Sequence, residues 1–215
     1  MSNAQVVDLQ EAAVAQPVSQ PIAQQSGEQI ITVKDTIANP APLGLMCFGM
    51  TTVLLNIHNA GFLPLSAMII AMGLFFGGAT QMIAGVQEFK KNNTFGATAF
   101  TSYGAFWIVL VGIWTLPAMG LAAKPTAIDM GWFLVMWGIF TAFMFIGTLK
   151  QTRANQTIFG SLTILFFLLA AADFTGSTTI KHIAGWEGMF CGFSAIYTAM
   201  AQVLNEVYGR KVLPL

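Results

Sequence analysis

Charge is scarce in this chain. Only 8% of its 215 residues are Asp, Glu, Lys or Arg, and nine basic side chains balance nine acidic ones to a net charge of zero. A soluble domain usually carries about 25% charge, so most of this molecule's surface is not built to face water. The balanced charge leaves no electrostatic footprint for nucleic acid. Cysteine is nearly absent: Cys47 and Cys191 are the two in the sequence, and both sit inside apolar runs. That excludes a disulfide framework and reads as two small buried hydrophobes. His58 and His182 are the two histidines, and no His or Cys pair shows metal-ligand spacing, so neither a metal nor a cofactor is expected. No serine sits in a nucleophile-elbow setting, and the deep parts of the apolar runs hold no Lys or Arg. No acid, base and nucleophile can be gathered into a pocket, so an enzyme is not expected. The N-terminal residues lack a basic stretch followed by an apolar one, so no cleaved secretory signal is expected.

What is present is apolar sequence in long pieces. The chain is 55% hydrophobic, with 18 Phe and 12 Met. Six runs are each long enough to cross a bilayer: about Leu43 to Asn59, Leu65 to Val86, Gly96 to Met119, Met130 to Leu149, Gln156 to Ala172 and Ile183 to Val207. A membrane barrel would show strands of about ten residues with alternating polarity. These runs are longer and do not alternate, so the expected fold is an all-α integral membrane bundle of six transmembrane helices. Residues 1–38, rich in Gln, Ala, Ser and Val and interrupted by Pro17 and Pro21, read as a disordered polar tail. The membrane domain then spans 39–210, and 211–215 form a short C-terminal tail.

Orientation follows from the positive residues. With the N-terminus inside, the inner segments carry Lys34, Lys90, Lys91, Lys150, Arg153, Arg210 and Lys211, and the outer loops carry only Lys124 and Lys181. This bias places both termini in the cytoplasm. Trp132, Trp186 and Tyr208 fall at predicted membrane interfaces, whereas Trp107, Trp114 and Trp137 are expected between helices. The GxxxG pairs Gly73/Gly77 and Gly188/Gly192 mark places where backbones approach closely, within one protomer or between subunits.

Polar residues inside the runs are few. Glu88 and Glu187 are the ionisable ones, each functional if it lies within the membrane and ordinary if it lies at an interface. Gln81 and Glu88 stand seven residues apart, two turns along nearly the same helix face. They are candidates for one polar vestibule or a proton-linked site, although Gln81 could equally bond a neighbouring helix.

The start of the first run is more specific. Asn39-Pro40-Ala41-Pro42-Leu43-Gly44-Leu45, followed by Phe48-Gly49-Met50-Thr51-Thr52 and Leu54-Leu55-Asn56-Ile57-His58-Asn59, resembles the acetate uptake transporter family. This is the family of the bacterial succinate–acetate permease and the yeast acetate permeases. The likeness resumes at Asn93-Thr94-Phe95-Gly96, Thr98-Ala99-Phe100-Thr101-Ser102-Tyr103-Gly104 and Phe145-Ile146-Gly147-Thr148-Leu149-Lys150. It ends at Val203-Leu204-Asn205-Glu206 and Val212-Leu213-Pro214.

The resemblance implies a homohexamer in the plasma membrane, with a separate pore through each protomer. It implies a hydrophobic constriction at Phe48, Tyr103 and Leu162, and a substrate-selectivity position at Ala195. The implied partners are acetate and other short carboxylic acids, succinate among them, together with the lipid bilayer and further copies of the chain. A carboxylic acid of ordinary pKa is anionic at neutral pH, and a bare anion is costly in an apolar throat. The devices left to offset that cost are the helix N-terminus at Asn39-Pro40, hydroxyl donors with Tyr103 foremost, and passage of the acid together with a proton. Channel and proton symporter both remain open. A small neutral-solute channel, or one for ammonium or urea, is the nearest rival.

Overall fold

The computed structural model describes residues 37–215. The expected disordered tail falls almost wholly outside the described residues. The described residues fold into long helices joined by short turns. They are α1 (Ala41–Asn59), α2 (Ala67–Lys90), α3 (Thr94–Ala118), α4 (Ala127–Thr148), α5 (Arg153–Thr175) and α6 (Thr178–Val207). Short connections force neighbours to run antiparallel, so α1, α3 and α5 point one way and α2, α4 and α6 the other. Helices α1 to α5 are long and apolar enough to cross a membrane by length and composition. The last helix is the longest at 30 residues, but it carries Glu187 amid its apolar stretch and is not among those five.

Each boundary has a local cause. Asn39 Oδ1 accepts from the Ala41 N–H at 3.1 Å, so the side chain caps α1 across Pro40, whose ring pre-sets the first turn. Thr126 and Asp129 form a reciprocal capping box on α4. Thr152 and Ser177 cap α5 and α6 through the N–H groups of Asn155 and Ile180. At the other ends, except that of α4, the chain reverses at residues of positive φ. Gly176 terminates α5 at φ +64°. Gly61, at φ +88°, also lets His182 come so near that a Cβ would stand 2.8 Å from its Nε2.

Helix α2 is irregular. Residues Met72–Thr80 wind as π-helix between two α-helical pieces, and Thr80 Oγ1 donates to the Phe75 carbonyl five residues back at 2.9 Å. The sequence does not announce this widening. It lies where Gly73, Gly77 and Gly78 bring the backbone against Val111, Thr51 and Ile108. Both GxxxG pairs therefore pack within the protomer: Gly188 and Gly192 lie against Asn56 and Val53 of α1. A Cβ at Gly185 would run into the Ala60 backbone, so α1 and α6 touch along most of their length.

Trp132 and Trp186 are exposed, and Trp107 is buried between helices. Cys47 and Cys191 are both fully buried free thiols.

Candidate functional site

The helices α1, α3 and α5 converge on one axis. Phe48, Tyr103 and Leu162, drawn from these three helices, are buried and line one small cavity of about 20 Å³. The ring centroids of Phe48 and Tyr103 stand 6.0 Å apart. The rest of the lining follows helical spacing one turn towards the chain termini: Leu45 before Phe48, Ala99 and Phe100 before Tyr103, and Ile158 and Phe159 before Leu162. Gln81 of α2 completes it.

Two turns in the other direction the same three faces open into a chamber of about 670 Å³. Leu55, Leu110 and Leu169 line that chamber, and each stands seven residues after its counterpart at the narrow point. Seven residues are about 10.5 Å of helix. The chamber therefore stands over the narrow point on a shared axis. Its far rim is polar: His58, Asn59, Lys124, Asp173 and Lys181 contribute. Between the two lies an aromatic girdle, in which Phe106 meets Trp137 at 5.0 Å and Phe166 at 5.3 Å between ring centroids.

The hydrogen bonds at the narrow point correct one expectation. Thr141 Oγ1 donates to the Trp137 carbonyl at 2.7 Å. Its single proton is thereby used, which leaves the Tyr103 hydroxyl to donate to Thr141 Oγ1 at 2.9 Å. Tyr103 is thus tied to α4 and is not a free donor. The uncommitted donor in the cavity lining is Gln81: the residue is 1% exposed, and neither Nε2 nor Oε1 has a hydrogen-bond partner among the described residues. A buried amide left unpaired costs about 1–3 kcal/mol, which an oxyanion accepting from Nε2 relieves in part.

Gln81 and Glu88 are not brought to one vestibule. Glu88 is buried at the α2–α3 turn, where its Oε2 accepts from Asn93 Nδ2 at 2.7 Å. Asn93 in turn caps α3 by accepting from the Gly96 N–H at 3.0 Å. A Cβ on Gly96 would stand 2.8 Å from the Glu88 carboxyl carbon. The carboxylate braces a turn, and Gln81 lines the cavity two turns away.

Ala195 is fully buried and does not line the cavity. It belongs to the packed core with Cys191, Ile158 and Leu162. Cys191, one turn before it, donates through Sγ to the Ile158 carbonyl at 3.6 Å. A larger side chain at position 195 therefore reaches the cavity by displacing its neighbours.

The motif from Asn39 to Leu45 is mostly scaffold. Asn39 Nδ2 bonds Gln202 Oε1 of α6 at 3.1 Å, and Pro40, Pro42 and Gly44 are buried. Ala41 is half-buried and Leu43 exposed, while a Cβ on Gly44 would strike the Phe100 ring at 2.6 Å. Of the motif only Leu45 reaches the cavity.

Sequence reading missed the chamber and the Thr141 anchor. Stepping seven residues from Phe48, Tyr103 and Leu162 would have found the chamber. The sequence marks Thr141 only as a polar residue of the fourth apolar run and does not connect it to Tyr103, 38 residues away.

Several known proteins are similar to this chain. The chain is 58% identical to the succinate-acetate/proton symporter SatP of Escherichia coli strain K12, over 83% of this chain and 95% of the relative. It superposes on a structure described as the bacterial acetate channel SatP with a TM-score of 0.82 and 57% sequence identity, covering 83% of this chain and 99% of the other. The ammonia transport outward protein 2 of Saccharomyces cerevisiae is 36% identical over 79% of this chain and 62% of its own length. The GPR1/FUN34/yaaH family matches residues 23–211. With that match and a fold shared with a solved relative, the chain belongs to the GPR1/FUN34/yaaH family.

Proposed function

We propose that this protein is a membrane transporter, not an enzyme, that carries acetate and other short carboxylates, succinate among them, through a path in each protomer. The observation that carries the reading is convergence: three side chains from α1, α3 and α5 close on one cavity directly under a much larger chamber. Substrate enters or leaves through the chamber and passes Phe48, Tyr103 and Leu162 in single file. At the narrow point Gln81 Nε2 donates to a carboxylate oxygen. Tyr103, fixed by Thr141, supplies shape, and Ala195 sets the room behind α5. Glu88 serves the α2–α3 turn.

All of α1 to α6 span the bilayer in this reading, with the termini cytoplasmic in the plasma membrane and the assembly a homohexamer. The solved relative described as an acetate channel and the relative named a succinate-acetate/proton symporter support the substrate class. Those two descriptions differ on coupling, and the throat is compatible with both modes. An apolar gate between polar ends suits weak, stepwise passage.

A second reading, a path for ammonium or another small solute, is favoured by the name of the fungal relative. Flux into sealed proteoliposomes separates the two. Labelled acetate is expected to enter well above empty liposomes, and urea and ammonium are not. Entry of ammonium or urea without acetate overturns the proposal. Repeating the acetate assay with an imposed pH gradient reads coupling: uphill accumulation means a symporter, simple equilibration a channel.

A further inference from the structure

Glu187 is an ionisable residue within an apolar run that neither the path nor a turn uses, and its surroundings are specific. It lies nine residues into α6, about 14 Å from the helix start. One carboxylate oxygen accepts from the Ser161 hydroxyl of α5. The other, Oε2, is buried and has no hydrogen-bond partner among the described residues. Ser161 is the residue before Leu162. One side of this turn of α5 therefore faces the narrow point and the other is held by Glu187. One turn further along α6, Cys191 grips the Ile158 carbonyl of the same helix.

Glu187 is also reachable. A groove of about 540 Å³ runs along α5 and α6, lined by Arg153, Gln156, Thr157, Ser161 and Glu187 on its polar side. Arg153, Thr157 and Ser161 follow at spacings of four, so they form one stripe from the terminus of α5 down to the carboxylate. The stripe links the start of α5 to Glu187 along polar side chains and does not pass through the constriction.

We propose that Glu187 is a proton-responsive positioning residue: its protonation releases Ser161 and thereby lets Leu162 yield, which ties passage through the constriction to pH. The inference rests on the reading of the protein as a carboxylate transporter. The sign follows from the chemistry. An ionised carboxylate holds the Ser161 hydroxyl through a charge-assisted bond, roughly twice as strong as a neutral one. A proton arriving from the groove on Oε2 removes the charge and weakens that hold, so acid favours passage.

The other titratable groups around Glu187 can be named. Arg153 shares the groove, and Cys191 lies one turn along α6. On the elements packed around it, His58 of α1, Asp173 of α5 and Lys181 of α6 line the chamber. Cys47 of α1 is buried in the core, and Asp129 of α4 is engaged in its own capping box. His182, beside Lys181, lies against Gly61.

The test is acetate uptake into proteoliposomes of the full chain at fixed anion concentration, from about pH 5.5 to about pH 8, with uptake by empty liposomes subtracted at each pH because the neutral acid rises roughly 300-fold towards the acid end. Wild type is expected to be faster at the acid end by about threefold or more. Glu187→Gln and Ser161→Ala are expected to flatten the profile at the acid-end rate, and Glu187→Asp to restore a slope. Ser161→Ala keeps the carboxylate and carries the test if Glu187→Gln fails to reconstitute. A wild-type slope retained in either variant overturns the inference, as does a flat wild-type profile, while transport itself stands. Absence of wild-type uptake overturns the transport reading first and this inference with it.

Discussion

Leu162 is the smallest of the three side chains at the narrow point and the one whose loss leaves its neighbours bonded. Phe48 packs on the Tyr103 ring, and Tyr103 is held by Thr141, so truncating either disturbs more than the opening. Leu162→Ala removes apolar volume from a cavity of about 20 Å³. It is expected to admit larger acids, raising lactate or succinate uptake relative to acetate by about threefold or more, at a stability cost of about 2–5 kcal/mol. Competition of unlabelled lactate and succinate against labelled acetate checks it, and an unchanged order of potency refutes the assignment. Gln81→Leu is expected to keep the opening but lose the donor, lowering acetate transport about tenfold or more, since a hydrogen bond to a charged group is worth about 1.5–3 kcal/mol. Gln81→Glu, which adds a like charge in the throat, is expected to be more severe. Transport by Gln81→Leu at the wild-type rate would rule out a substrate contact there.

At the scale of elements, helix positions and caps were legible in the sequence, and helix rotation was not. The run from Leu43 to Asn59 became α1 at Ala41–Asn59, because Asn39 and Pro40 give a helix start that needs no tertiary information. The faces are another matter. A helix that is apolar all round gives no moment from which to read its inward side, so the separation of Gln81 from Glu88 and the place of Ala195 behind α5 were hidden. Six apolar runs also read alike in sequence, whereas Glu187 sets α6 apart from the five more apolar helices. The glycines carry the packing that fixes rotation. A Cβ at Gly185 meets the Ala60 backbone, which cannot yield as a side chain can, whereas one at Gly112 finds only Leu116 Cδ1 at 4.0 Å. Gly185→Ala is therefore expected to destabilise the protein by about 1–3 kcal/mol. Gly112→Ala is expected to be neutral or stabilising by up to about 1 kcal/mol, because Ala is the better helix former. Thermal unfolding in detergent compares the two, and equal melting temperatures would contradict the close α1–α6 crossing.

Across the whole molecule the path is asymmetric in charge. The chamber carries Lys124 and Lys181 against Asp173 on its lining, whereas the cavity below it is apolar apart from Gln81 and the Tyr103 hydroxyl. A wide cationic mouth above a neutral throat raises the local concentration of anions without holding them at the gate, and clefts of one sign accelerate encounter in this way. The effect belongs to exposed charges, so salt screens it with a Debye length of about 10 Å at 0.1 M. Replacing both lysines, Lys124→Gln with Lys181→Gln, is expected to raise the KM for acetate about threefold or more at low ionic strength and to leave the maximal rate nearly unchanged. Adding an impermeant salt should bring the wild-type KM up to that of the variant. Succinate, with twice the charge, should show the larger shift. The pattern separates capture from gating: a lysine that gated passage would lower the maximal rate, and salt would not reproduce its loss. Equal KM values for wild type and variant at every ionic strength would mean that the chamber's lysines serve the fold and not the approach of substrate.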